Sequence, residues 1–459
     1  MNNASNHTSN KQNAATILAE YAVGLRYEDL PSHVIELARQ CLVDAVACAV
    51  FGKNFTWSQK VLDYACANGT DGPCQLPGLP GVQLCLPQAS LALGTFGHSF
   101  ELDSLRKPGA GVHPGATVAL PAFAAAQAYK ASGRDLLVAI VAGCEVMFRI
   151  GAATLHTPEK VGFHAPGLTG PFGSATACGL LAGLSAPQLT NAYGIAGSLA
   201  SGLLAFARAD HGGMIKRLHL GRAAESGVLA ASLAGDGYEG PGSVLDGTFG
   251  LLDAFCSESD STQLTRGLGV EYEIERLCIK RYACHVTAQA PVQLLRNEMA
   301  THGFDGRDID TIIVRSSAKV VSHHSDLEPN DIMLAQYSVP FTLAIAAYAD
   351  PIDPRVFSEE ILQSPRVRDL AKRVEVSERT DGAGKGWGAE LIIRLHDGRE
   401  FAGTQESFLG CPEEPLSRKQ LRDKFDALCV GLGPAASSAL FQVLWEIEDA
   451  SDLSQLLSD

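Results

Sequence analysis

Between residues 13 and 260 the chain strings together apolar runs of helical period dense in glycine and alanine, and this constrains the fold more than any other feature. Apolar residues recur at helical spacing across 14–23, 32–50, 58–67, 91–97, 116–132, 133–155 and 173–184. Pro31-Ser32 and Ser185-Ala186-Pro187 supply helix starts. Stretches such as GSATACG at 173–179 and AGSLASGLLA at 196–205 put small residues where helices can meet. Small side chains let helix axes approach closely, so the spacing predicts a tightly packed helical core.

The texture changes near residue 268. Segments 270–279, 311–314, 368–376, 388–395 and 400–405 alternate or carry β-branched residues, and Asp397-Gly398 marks a hairpin turn between the last two. Helical patterns remain at 288–301 and 338–349 and return at 417–430, 434–446 and 453–457. At 459 residues the chain is long enough for two cores. The expected fold is mostly α with an α+β second domain. On pattern alone, the final helices fit either module.

Charged residues are only 19% of the chain against 46% hydrophobic ones, a balance suited to a large core or a large subunit interface. A formal net charge of -15 opposes binding to nucleic acid or an anionic membrane, since both require concentrated positive charge. Twelve cysteines lie scattered without a CxxC pair, several inside apolar runs, which points to reduced thiols in a reducing compartment. Their spacing matches no metal-ligand pattern, so no metal is expected. The first dozen residues are polar, without a signal-peptide pattern, and read as a frayed terminus. The apolar stretches at 136–146 and 179–184 fall short of the roughly 20 residues of a membrane span. A soluble cytoplasmic protein is expected.

Three segments carry polar groups where a packing helix would not. In the first, His98 to His113, an acidic helix end with Asp103 runs through Arg106 and Lys107 into a Gly/Pro-rich loop. His113 precedes Pro114, so it sits at a helix N-terminus, where the dipole favours anions; a simple capping role fits equally. In the second, the glycine-rich loop 162–173 delivers His164 ahead of a small-residue helix, as a pocket-shaping loop or a structural turn. In the third, His211, Lys216, Arg217, His219 and Arg222 gather five basic or imidazole groups within twelve residues of an acidic chain. On a helix His219 shares a face with Lys216 and with Arg222, and the cluster points to anion binding.

These segments read HSFELDS…HPGATVALPA, GFHAPGLTGPFGSATA and GGMIKRLHLGRAAESG. With DGYEGPGSVLDGTFG, KRYACHVTAQAP and QYSVPFTLAIA they occur in the order of the MmgE/PrpD family, which the chain resembles from Leu42 through Ser417. The resemblance implies a large all-helical domain over 1–267 completed by 406–459, and a smaller α+β lid domain over 268–405. It also implies a cleft between them and a homodimer. Family activities are 2-methylcitrate dehydration, cis-aconitate decarboxylation and iminodisuccinate epimerisation, all on small di- or tricarboxylates.

By the same resemblance His113, His164, Lys216 and Asp103 are the catalytic candidates. Arg217, His219, Arg106, Lys107, His285, Gln289 and Tyr282 are the candidates for holding substrate. A carbon acid beside a carboxylate ionises when cations stabilise the enediolate and a base is in place, so no cofactor and no metal is called for.

Two departures shape the expected reaction. Ser104 stands where many relatives carry a second aspartate, and Gln289 where many carry a histidine, with His285 four residues earlier. A dehydratase needs both an acid and a base, whereas epimerisation needs two proton-transfer groups and decarboxylation one acid. The sequence is therefore expected to encode a cofactor-independent enzyme that abstracts a proton alpha to a carboxylate of a small di- or tricarboxylate, leaning to an epimerase, with the family's lyase reactions as the alternative and a non-catalytic carboxylate-binding protein as the reading from another class.

Overall fold

A computed structural model of the chain describes residues 12–208, 213–379, 386–454 and 456–457. It divides into two compact units. The first comprises Met1–Gly97, Gly109–Glu275 and Val443–Asp459, and the second His98–Pro108 and Arg276–Gln442.

The first unit is a stack of helices whose starts are written in the sequence. Asn13 caps Ala14–Gly24, Ser132 and Asp135 form a capping box on Gly133–Ala153, and Ser185 and Gln188 form another on Ala186–Leu199. The Leu86–Gly97, Ala165–Leu181 and Ile215–Gly235 helices cross at small residues. A Cβ on Gly221 would stand 2.1 Å from Thr95 Oγ1, and one on Gly227 would stand 2.5 Å from the Ala175 backbone nitrogen. Backbones this close leave no room for a side chain, the packing expected of the Gly/Ala runs.

Gly133–Ala153 is one helix long and apolar enough to cross a membrane by length and composition, and its apolar window is 89% buried inside the protein. It runs on through Glu145 and Arg149; buried together, they pair across one turn at 3.2 Å. Arg149 also donates to the carbonyls of Arg266 and Glu271, while Glu145 Oε1 accepts from the Ile274 N–H. The last two contacts take up backbone groups, the Glu271 carbonyl and the Ile274 N–H, that a strand over 270–279 would need. That segment is accordingly a set of turns ending in the two-residue strand Leu277–Cys278.

The second unit is α+β. Its sheet has strand order Val374–Glu378, Ile309–Ser316, Ala389–Leu395, Glu400–Gln405; the first pair is parallel and the others antiparallel. Gly398 takes the positive φ of the expected hairpin turn. The strand expected over 368–376 begins only at Val374. Pro365–Lys372 is a helix, because Val367, Leu370 and Ala371 are spaced to bury one helical face. Val286–His302 and Val339–Tyr348 pack together, and Val286–His302 also contacts the sheet.

The units do not follow the domain boundaries expected from the sequence. Residues 406–442 belong with the second unit. Lys424 there donates to the Leu102 carbonyl at 2.9 Å, and the Phe425 and Phe441 rings meet edge to face. Segment His98–Pro108 joins that unit too, since Leu105 and Arg106 pair with Cys278 and Leu277. Only Val443–Asp459 returns to the first unit: Glu448 pairs with Arg39, and the Ala450 carbonyl accepts the Gly133 N–H.

Candidate active site

In the first unit three helix starts converge. Pro114 opens a five-residue π-helical turn, Gly115–Ala119, that runs into Leu120–Ala128. His113 stands just before it, its carbonyl accepting from the Thr117 N–H and hydroxyl. His164 is the N-cap of Ala165–Leu181, with Pro166 in the first turn. Lys216 lies in the first turn of Ile215–Gly235. Gly111, at φ 64°, brings the His113 loop against the second helix: a Cβ there would lie 2.3 Å from Ala165 Cβ, and the Gly111 carbonyl accepts from Thr169 at 2.9 Å. Helix N-termini gathered in this way favour an anion.

The histidines of the second and third starts meet directly. His164 Nδ1 and His219 Nδ1 are 3.1 Å apart, so one donates and the other accepts, and a single proton lies between them. Phe206 packs edge-on against His164 and His219, with ring centres 5.4 and 5.8 Å away. Gly202, at φ 123°, passes so close that a Cβ would be 3.3 Å from the His219 Nδ1. Burial first, and then the Lys216 charge one turn away, hold His219 below the ordinary imidazole range. Lys216 and Arg217 are 5% and 1% exposed. Arg222 does not join them: it is exposed and pairs with Glu225. His211 lies outside the described residues.

The second unit holds a buried polar group of its own. Asp103 Oδ2 is 2.9 Å from His98 Nδ1, and both residues are at most 1% exposed. Glu101 accepts from Lys280 Nζ at 3.0 Å through one oxygen and from the Tyr337 hydroxyl at 3.0 Å through the other. Burial disfavours the Lys280 charge, but Glu101 and Asp103 outweigh it and hold the ammonium above its usual range. His285 is the N-cap of Val286–His302, where its Nδ1 accepts from Thr287. The ring proton therefore sits on Nε2. Burial and the neighbouring His324 keep His285 well below the normal imidazole range, so the neutral ring is a hydrogen-bond donor.

Other expected residues take different places. Gln289 is fully buried and its amide is used up: Oε1 accepts from the N–H groups of Arg281 and Tyr282, and Nε2 donates to the carbonyls of Tyr282 and Cys284. It clamps the loop before His285, which corrects the expectation that it holds substrate. Tyr282 is buried under Arg281 in the clamped loop, and Tyr337 supplies the hydroxyl bound to Glu101. The Lys107 ammonium is engaged by Glu413 at 3.0 Å, and Arg106 donates to the Pro108 carbonyl. Glu101, Lys280, Tyr337 and His324 were not singled out from sequence. Lys280 and Tyr337 nevertheless stand inside the KRYACH and QYSVPF segments that carried the resemblance.

The first unit thus groups two imidazoles with a lysine, and the second unit by itself holds a buried lysine–glutamate pair. Family models for the MmgE/PrpD N-terminal domain and the MmgE/PrpD C-terminal domain match residues 16–264 and 282–447. The chain belongs to the MmgE/PrpD family and is an enzyme of its isomerase or lyase type. It is 30% identical to a cis-aconitate decarboxylase of Aspergillus terreus, over 92% of this chain and 90% of that protein. Cis-aconitate decarboxylases of Mus musculus and Homo sapiens are 27% and 26% identical, over 95% and 94% of this chain and 91% of each relative.

Proposed function

We propose that this enzyme is a lyase that decarboxylates a small unsaturated tricarboxylate of the cis-aconitate type, with His113, His164, Lys216 and His219 as its acid–base and anion-binding group. The 3.1 Å contact between His164 and His219 beside Lys216 carries the reading. One transferable proton next to a fixed cation suits the protonation of a carbon flanked by carboxylates.

The chemistry follows from the substrate. When the CH2–carboxylate arm loses carbon dioxide, its bonding pair spreads over an allyl system that ends at a second carboxylate. The far carbon then takes a proton and methylenesuccinate results. In this reading, unlike the proton abstraction expected from the sequence, no proton is abstracted, so the step requires cations against the growing charge and one acid. The histidine pair is assigned as the acid and Lys216 as the principal cation, with His113 and Arg217 supporting the carboxylates. In the second unit, Lys280 and His285 offer a buried cation and a neutral N–H donor, while Asp103 orients His98. The names of the relatives favour this lyase reading over the epimerase to which the sequence leaned. The reading includes a cytoplasmic homodimer, whose mass light scattering would measure.

The test is separate incubation with cis-aconitate, 2-methylcitrate and iminodisuccinate, following carbon dioxide, alkene formation and inversion. Carbon dioxide from cis-aconitate, lost in Lys216→Ala with the melting temperature nearly unchanged, is the expected result. Alkene from the hydroxy acid, inversion of the imino acid, or binding without turnover overturns it.

A further inference from the structure

We infer that His324 is a positioning residue: its ring, stacked on His285, fixes the plane in which that imidazole presents its hydrogen-bond donor. The inference rests on the proposed use of His285 in the reaction above.

The two rings lie 4.2 Å apart at 27°, and Tyr337 closes the stack at 4.9 Å from His285 and 5.8 Å from His324. Tyr337 is itself fixed through its hydroxyl to Glu101, so the stack has one immobile wall. At the other end the His285 backbone N–H is bound to the Gln336 carbonyl, and its Nδ1 is bound to Thr287. Thr287 holds one edge of the His285 ring, and the flat neighbour keeps the rest of it from tilting out of that plane.

His324 is 4% exposed, and among the described residues no side chain hydrogen-bonds either ring nitrogen, although the Tyr337 backbone interacts with the ring. With no side chain bound to its nitrogens, what the ring offers His285 is its flat face. The groups that set the charge of the pair are named by their elements. Lys319 and His323 lie on His324's own helix, Glu101 and Lys280 face the stack, and the Tyr337 backbone weakly favours a charged His324. Burial and the two neighbouring basic groups dominate, and His324 in turn opposes a charge on His285.

The test compares His324→Ala and His324→Phe in the full chain by two readouts. The first is titration of the His285 ring, followed by NMR of the resting protein. His324→Ala is expected to bring that titration upward into the range where the parent ring stays neutral, and His324→Phe to shift it less. The second is turnover: His324→Ala is expected to lower kcat about tenfold with KM changed less than about threefold, as for a misaligned donor. His324→Phe is expected to restore most of kcat and to melt no lower than the parent. A His285 titration and kcat in His324→Ala equal to the parent's overturn the inference. So does a His324→Phe variant as impaired as His324→Ala, which would assign the role to a ring nitrogen rather than to the stack. If the parent decarboxylates nothing, the proposed reaction fails while the titration still decides the role of His324.

Discussion

Lys280 and Glu101 form an ion pair at 3.0 Å with both side chains 2% exposed, and the second Glu101 oxygen is taken by Tyr337. A buried pair of this kind is costly to break from one side, because the remaining charge has no solvent to turn to. Lys280→Met is expected to destabilise the protein by about 3–5 kcal/mol, and Lys280→Met/Glu101→Leu by clearly less than the sum of the single changes. Denaturant unfolding of the three variants measures this; additive losses would show that the pair is not energetically coupled.

The His164–His219 pair, as the acid, must carry the proton it donates, and burial and Lys216 oppose that proton. Turnover is therefore expected to fall as pH rises through a point below the ordinary imidazole range of about 6.5. Lys216→Met removes one of the two causes, and the alkaline limb of its residual activity is expected to move up. Stability has the opposite slope: a depressed imidazole favours the folded state above about 6.5 and disfavours it as pH drops.

His324 gives the corresponding effect on the fold alone. Its imidazole is pushed down to about 4, so the unfolded chain binds that proton first and stability falls between pH 6.5 and 4. The loss is on the order of 3 kcal/mol. His324→Phe is expected to remove that part of the acid sensitivity, measured as melting temperature against pH; an unchanged slope would exclude it.

Gly202 carries the backbone past His219 at a φ that side chains rarely adopt. Gly202→Ala is expected to cost about 1–3 kcal/mol and, by pressing on the imidazole, to lower turnover at least tenfold. Gly398→Ala is the control: its φ is 88°, with no heavy atom within 4 Å of the added Cβ, so it shares the strain without the contact. Equal activity in the two variants would remove Gly202 from the site.

The helices of the first unit were legible because one periodicity and the capping residues agree, as at Ser132 with Asp135. The mismatch at 270–279 arose because its fate is set by Arg149 and Glu145, more than a hundred residues away, which claim its backbone groups. The site divided along the same line. Lys216 and His219 were readable as a helical pair three apart, and His113 and His164 as histidines at helix starts. Glu101 was invisible as a partner because Lys280 and Tyr337 lie 179 and 236 residues further along. Gln289 drew attention by its position in a pattern, whereas its buried amide serves only the loop around it.

Turnover of cis-aconitate in heavy water, followed by proton NMR, tests the central claim most directly. Decarboxylation with protonation at the far allylic carbon predicts release of carbon dioxide and methylenesuccinate with one deuterium in its saturated methylene, with no deuterium entering unreacted substrate at the CH2 arm. Deuterium exchange at that arm without release of carbon dioxide, or addition of water across the double bond, would contradict it.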